Sequence, residues 1–278
     1  MSENKKHFVN IAFYKFVQLD DLTEFKQKLL NICTDLQLKG TILLATEGIN
    51  SCLVGEEIHI ETFIHFLHND KRFTDLEFKK SVSDHIPFRR MLVKIKKEII
   101  PMGMENIKPQ ISTGKYVSAL ELKSWYETKE DLVVLDTRND YEVELGTFRG
   151  AINPDLKEFR NFPNWIKNNF EQYKDKKIVT FCTGGIRCEK ATAFMEQEGF
   201  KNVYQIQGGI LKYLEETKTK TPGEDNFYDG DCFVFDNRVA VDKNLEQSKF
   251  ILCYNCWKTL SDSDLEHPQY KKDVYCPY

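Results

Sequence analysis

Ile178-Val179-Thr180-Phe181-Cys182-Thr183-Gly184-Gly185-Ile186-Arg187-Cys188-Glu189-Lys190-Ala191 carries a short apolar strand into a helix, with a cysteine at the joint inside a turn of Thr and Gly. A strand of the form KIVTF delivers Cys182 to the C-terminal edge of a parallel sheet. A helix beginning near Cys188 points its unpaired amide N–H groups back at the sulfur. Gly184 and Gly185 allow positive φ and close backbone approach, so the loop Thr183, Gly184, Gly185, Ile186 and Cys188 can cup an anion with successive N–H groups. Arg187 adds a fixed positive charge. A thiol in this setting ionises easily, and the thiolate is the nucleophile. The plainer alternative is a buried strand-end cysteine beside a Gly turn that only packs. Cys182 and Arg187 are the candidate catalytic pair.

Loop length separates two chemistries. Cys182 to Arg187 is a C-x4-R loop of six residues, whereas a C-x5-R phosphatase cradle needs one residue more to enclose a tetrahedral phosphoryl group. The shorter loop suits a sulfur. With these residues the stretch from about Gly114 to Glu216 resembles a rhodanese domain, the sulfurtransferase module that carries a cysteine persulfide. Leu132 to Arg138 followed by Tyr141-Glu142 and Gly146 is similar to the rhodanese entry strand and turn, Gly150-Ala151-Ile152-Asn153-Pro154 to the segment after it, and Val203 to Ile210 to the closing strand and Gly-Gly turn.

The 278 residues allow two or three domains, and 41% hydrophobic with 29% charged residues describes a globular chain rather than a disordered one. The apolar runs are strand length, and MSENKKHFVN has charge without an apolar core behind it. Neither a membrane span nor a secretory signal is therefore expected, and a cytoplasmic location is. Of the eight cysteines, Cys182 and Cys188 fall in the loop and Cys253 and Cys256 in a C-terminal C-x-x-C rather than in a disulfide pattern, which reads as reactive and metal-ligating thiols in a reducing compartment. A net charge of −4 argues against indiscriminate nucleic-acid binding and leaves room for a local basic face.

Residues 1–98 alternate strand and helix in the order βαββαβ. Phe8 to Val17 is the first strand, and Asp20 or Asp21 caps a helix from Leu22 to Leu36. Thr41 to Ala45 and Ile49 to Val54 flank the turn Thr46-Glu47-Gly48, Ile60 to Leu67 is the second helix, and Met91 to Ile95 the last strand. That order predicts a ferredoxin-like, acylphosphatase-like α+β domain. Residues 99–115, with Pro101, Gly103, Pro109 and Gly114 and no periodicity, read as a linker. Residues 116–216 then read as an α/β domain with a parallel sheet covered by helices on both faces. The run Thr217 to Gly223 ends its last helix, and 217–278 form a Cys-rich tail with a small hairpin turning at Asp236-Asn237. Cys253, Cys256 and Cys276 have the spacing of candidate zinc ligands, with Cys232 or His267 as the fourth. Reduced, unmetallated cysteines are the alternative.

Gly40 to Asn50, the loop Cys182 to Ala191, the block Gly230 to Val241 and the C-terminal cysteines, in this order, resemble the bacterial rhodanese-containing tRNA uridine hydroxylases over nearly the whole chain. The resemblance implies dioxygen-dependent formation of 5-hydroxyuridine at the wobble position and a tRNA partner held at its anticodon region. The rival is a sulfurtransferase that loads a Cys182 persulfide from thiosulfate or from a sulfur-donor protein. No flavin loop, nicotinamide fingerprint or two-His-one-carboxylate iron site is visible, so the cofactor is left open. Lys79, Lys80, Arg89, Arg90 and Lys94, interleaved with Phe78, His85 and Phe88, form a basic stretch that could touch RNA or simply protect a strand edge. Arg138 with Glu142 reads as a structural ion pair. Cys188 could resolve an oxidised Cys182 as a disulfide or pack beneath the loop.

Overall fold

The computed structural model describes residues 7–218, 224–253, 255–256, 258–272 and 274–278. The chain divides into two compact units, Met1–Gly103 with Lys108–Ile111, and Met104–Ile107 with Ser112–Tyr278. Segment 99–115 is therefore shared between the units rather than a free connection. Ile99, Met102 and Ile107 are buried, and the Glu98 carboxylate accepts the N–H groups of Met102 and Gly103.

The first unit runs β1 (Phe8–Phe16), α1 (Leu22–Asp35), β2 (Lys39–Ala45), β3 (Gly48–Gly55), α2 (Glu57–His68), β4 (Lys79–Ser83) and β5 (Met91–Ile95). Phe25, Leu29 and Cys33 recur along one stripe of α1, and Ile60, Phe63, Ile64 and Leu67 along one stripe of α2. Both stripes join Ile11, Phe13, Ile42 and Leu53 of the sheet in one core. Strand order is β4-β1-β3-β2-β5. Of these neighbours β1–β3, β1–β4 and β2–β3 are antiparallel, and β2–β5 is parallel.

The first four strands of that order make the ferredoxin-like sheet, with one correction. Its closing strand is β4, not Met91–Ile95, which instead adds a fifth, parallel strand outside β2. The cap of α1 is corrected too. Asp21 sits at the N-cap but makes no side-chain cap bond; its carboxylate takes the Arg72 guanidinium. Glu47 and Asn50 of the β2–β3 hairpin grip the backbone of Ile99, accepting its N–H at 2.7 Å and donating to its carbonyl at 3.1 Å.

The second unit runs β6 (Lys115–Val117), α3 (Ala119–Glu127), β7 (Leu132–Asp136), α4 (Asp140–Val143), β8 (Gly146–Phe148), α5 (Phe162–Asn169), β9 (Lys177–Phe181), α6 (Ile186–Gln197), β10 (Asn202–Ile206) and α7 (Gly209–Glu216). Its sheet has the order β6-β10-β9-β7, parallel throughout. Helices α3 and α7 pack together on one face, α5 and α6 on the other. The C-terminal ends of the strands thus share one edge, where parallel α/β sheets place their sites.

Residues after Glu216 fold back onto this unit. Thr219 to Gly223, the expected end of α7, lie outside the described residues. Beyond them β11 (Tyr228–Gly230) pairs antiparallel with β8. Then β12 (Cys232–Phe233) pairs with β13 (Ala240–Val241), closing the hairpin around Asp236-Asn237. Tyr228, Cys232, Val234 and Val241 belong to the same core as Val134, Phe148, Phe181 and Ile206. Among the described residues no helix is long and apolar enough to cross a membrane.

Candidate active site

Strand β9 ends at Phe181, and the chain turns within Cys182-Thr183-Gly184-Gly185 into α6, which begins at Ile186, two residues earlier than the sequence suggests. Gly185 makes the early start possible. As the N-cap residue it holds φ at +97°, a conformation most side chains avoid. Its N–H donates to the Cys182 sulfur at 3.1 Å, while the Cys188 N–H turns to the Gly185 carbonyl at 3.0 Å. The loop is pinned from the other side by α7: Ile210 and Leu211 donate to the carbonyls of Cys182 and Thr183. Gly209 allows that approach. A Cβ there would lie 2.5 Å from the Cys182 carbonyl oxygen and 2.7 Å from the Gly185 nitrogen.

Cys182 is wholly buried. Burial pushes its thiol up, but the neighbouring Cys188 thiol, the Arg187 charge and the backbone N–H groups at the start of α6 outweigh that and hold it well below the ordinary thiol value. Burial pushes Cys33 in α1 and Cys232 in β12 up to about 12. Equally buried sulfurs therefore diverge because the loop supplies donors to one of them. Cys188 is the protonated partner: burial and the Cys182 sulfur both push its thiol up.

The charge of Arg187 is not isolated. Its guanidinium forks onto the Glu142 carboxylate, with one contact at 2.7 Å, and both side chains are almost fully buried. Burial pushes the Glu142 carboxyl up, but the Arg187 charge and hydrogen bond bring it below the usual range. Thr183 also donates to Glu142, at 3.1 Å. The expected Arg138–Glu142 pair is corrected accordingly. Arg138 lies in a fully buried fork with Asp136 and reaches only the backbone carbonyl of Glu142, at 3.4 Å. Glu142 is held in place at the start of α4, where its carboxylate accepts the Asn139 N–H at 3.1 Å.

The tail completes the surroundings. Tyr141 packs on Phe233 at 5.3 Å, and the Arg187 guanidinium lies 5.8 Å from the ring of Phe235, which is 53% exposed. The sequence pairs Glu142 with Arg138 and sets Phe233 and Phe235 in a hairpin of the tail without linking any of the three to the loop. Each meets the loop from at least 40 residues away in the chain.

The basic stretch is not one stripe. Lys79 and Lys80 stand on β4 and Lys94 on β5, the two opposite edges of the five-stranded sheet, about 19 Å apart at the usual strand spacing; Arg89 and Arg90 lie in the connection between. Lys80 pairs with Glu61, and Lys79 lies over the Tyr14 ring. The thiols of Cys253, Cys256 and Cys276 do converge, within 4.8 Å of one another. Tetrahedral thiolates around zinc, at about 2.3 Å from the ion, would stand a little under 4 Å apart, so the cluster fits. Neither suggested fourth ligand joins it: Cys232 is in the core, and the His267 Nδ1 accepts from the Gln269 backbone.

Two family models match this chain, a UPF0176 acylphosphatase-like domain over residues 8–99 and a rhodanese-like domain over residues 118–216. Curated relatives named tRNA uridine(34) hydroxylase match at 47% identity in Acaryochloris marina, 43% in Picosynechococcus and 45% in Teredinibacter turnerae, over 96–98% of this chain and 81–90% of theirs. The chain belongs to the tRNA uridine(34) hydroxylase family. The matched span covers 96–98% of the chain and so takes in both units and the tail.

Proposed function

We propose that this chain hydroxylates uridine 34 of tRNA to 5-hydroxyuridine, using dioxygen, with Cys182 as the reactive thiolate. Kinship over almost the whole chain supports the reaction. The observation that carries the role of Cys182 is a wholly buried sulfur that accepts the Gly185 N–H at 3.1 Å at the start of α6; with the Arg187 charge beside it, its thiol is held below the ordinary value. Arg187 and Glu142 act as a neutral, rigid strut under the loop. The substrate is met in the cytoplasm and held at its anticodon region, with Arg89, Arg90 and Lys94 as phosphate contacts on the β5 side. Cys253, Cys256 and Cys276 hold a structural zinc ion whose fourth position is filled from outside the cluster.

Nucleoside mass spectrometry of tRNA incubated with the protein in air tests the reading. The native chain should convert uridine 34, and Cys182→Ala should lose at least about a hundredfold in rate. Equal conversion by Cys182→Ala would remove the thiolate from the mechanism. A second reading is favoured by the six-residue loop: a sulfur carrier would gain one sulfur on Cys182 from thiosulfate, and would do so without making any hydroxyuridine.

A further inference from the structure

We infer that Phe235 is the platform on which the base of uridine 34 stacks at the mouth of the cysteine loop, an inference that rests on the hydroxylase reading above. A single exposed apolar side chain carries little meaning by its exposure alone. What sets Phe235 apart is where it stands and how firmly the chain around it is held.

The hairpin is interior apart from its tip. Phe233, Val234, Val239 and Ala240 are buried, whereas Phe235 is 53% exposed and forgoes the gain that burying a phenyl ring brings. The tip is braced into one shape. The Val234 N–H donates to the Val239 carbonyl at 2.9 Å, and the Val239 N–H to the Asp236 carbonyl at 3.0 Å. The Arg238 guanidinium forks onto the Asp236 carboxylate at 2.9 and 2.6 Å, with both side chains more than nine-tenths buried. Val239 holds φ at +65°, a conformation that a β-branched residue adopts only where its surroundings impose it. A ring presented on so fixed a turn has little freedom to lose when a planar partner lands on it.

Contacts tie the ring to the reactive loop. The hydroxyl of Thr183, the residue after Cys182, lies 3.4 Å from the Phe233 carbonyl on β12. Tyr141, Phe233 and Phe235 form a row, with successive ring centroids 5.3 and 5.2 Å apart and each pair inclined at 77°. The Arg187 guanidinium lies over the Phe235 ring, 5.8 Å from its centroid. An unpaired anticodon base presents a flat π face, and splayed single-stranded bases are held by stacking on aromatic side chains. Stacking accepts any base, so Phe235 places the pyrimidine ring beside the loop rather than choosing it.

The test uses the full chain and an RNA anticodon stem-loop carrying uridine 34. Phe235→Ala should raise KM for the stem-loop about five- to a hundredfold, with the thermal melt and the rate of Cys182 alkylation by iodoacetamide unchanged. Phe235→Leu keeps apolar bulk without a π face and should be as poor as Phe235→Ala, whereas Phe235→Trp should bind at least as tightly as the native chain. The indole that Phe235→Trp introduces gives a reading independent of turnover. Its fluorescence, taken against that of the native chain, should be quenched by the stem-loop and not by one lacking the base at position 34. A native KM in Phe235→Ala, full rescue by Phe235→Leu, or equal quenching by the two stem-loops would each overturn the inference and leave the hydroxylase reading standing. Absence of hydroxyuridine from the native chain would remove that reading, while the quenching would still decide whether the ring holds the base.

Discussion

Glu142 shows what a single residue does here and how little of it a linear reading exposes. Its carboxylate closes the fork with Arg187, accepts from Thr183 and takes the Asn139 N–H at the start of α4, so one side chain ties the loop to the turn after β7. Replacing it by Gln leaves the buried Arg187 without a counter-ion, a change that usually costs about 3–5 kcal/mol, and urea denaturation should report a loss of that size. The same variant removes the negative charge that offsets Arg187 beside the sulfur. The Cys182 thiolate is then favoured further, so its ultraviolet titration should move to lower pH, whereas a merely loosened loop would move it up. The sign follows from the native state. A thiol held below its ordinary value adds stability that is full above the unfolded value near 9 and is lost as pH falls through the folded one. Cys182 and Arg187 were legible because six consecutive residues encode their arrangement. Glu142 was not, because its partner lies 45 residues away, and the nearer Arg138 looked like the natural match.

At the scale of elements, the parts that read well are those buried on one stripe or on both faces. Helices α1 and α2 and strands β7, β9 and β10 announced themselves through apolar spacing, and all five lie in cores. Strand β4 was misjudged because an edge strand needs little apolar content. Its Lys-Lys-Ser-Val-Ser sequence leaves Val82 61% exposed and presents lysine to solvent. The more apolar Met91–Ile95 therefore took its place in the expected order. The start of α7 carries a prediction about how elements meet. Gly209 holds φ at +71° with the backbone of the cysteine loop against the position a Cβ would take, while Gly150 holds φ at +73° with open space around it. Gly150→Ala should cost about 1–2 kcal/mol, the usual price of a left-handed residue. Gly209→Ala adds a collision with carbonyl and amide atoms that no rotamer can relieve, so it should cost visibly more in the same melt and also depress hydroxyuridine formation, which Gly150→Ala should leave unchanged.

For the whole molecule, the decisive point is where the second unit ends. The sequence suggests a rhodanese domain complete at Glu216 with a separate tail, since composition changes there. In the structure Tyr228 packs edge-on against Phe148 at 5.2 Å and gives its hydroxyl to the Gly146 carbonyl, and Cys232, Val234 and Val241 fill the same core. Each such side chain is worth about 1.5–3 kcal/mol when buried, and a domain has only about 5–15 kcal/mol of stability in all. A chain ending at Glu216 should therefore lose cooperative unfolding and bind a hydrophobic dye. Ending at Ser248 keeps β11, β12 and β13 and discards residues 249–278, which carry the short strand pair Ile251–Leu252 and Thr259–Leu260, the helical turn Asp262–Leu265 and the thiol cluster of Cys253, Cys256 and Cys276. That longer chain should melt cooperatively like the full protein, while elemental analysis should find about one zinc per full chain and none in the truncated one. A cooperative melt from the chain ending at Glu216 would mean that the tail is an appendage after all, and Phe235 beside Arg187 would then be an accident of packing rather than part of the wall around the cysteine loop.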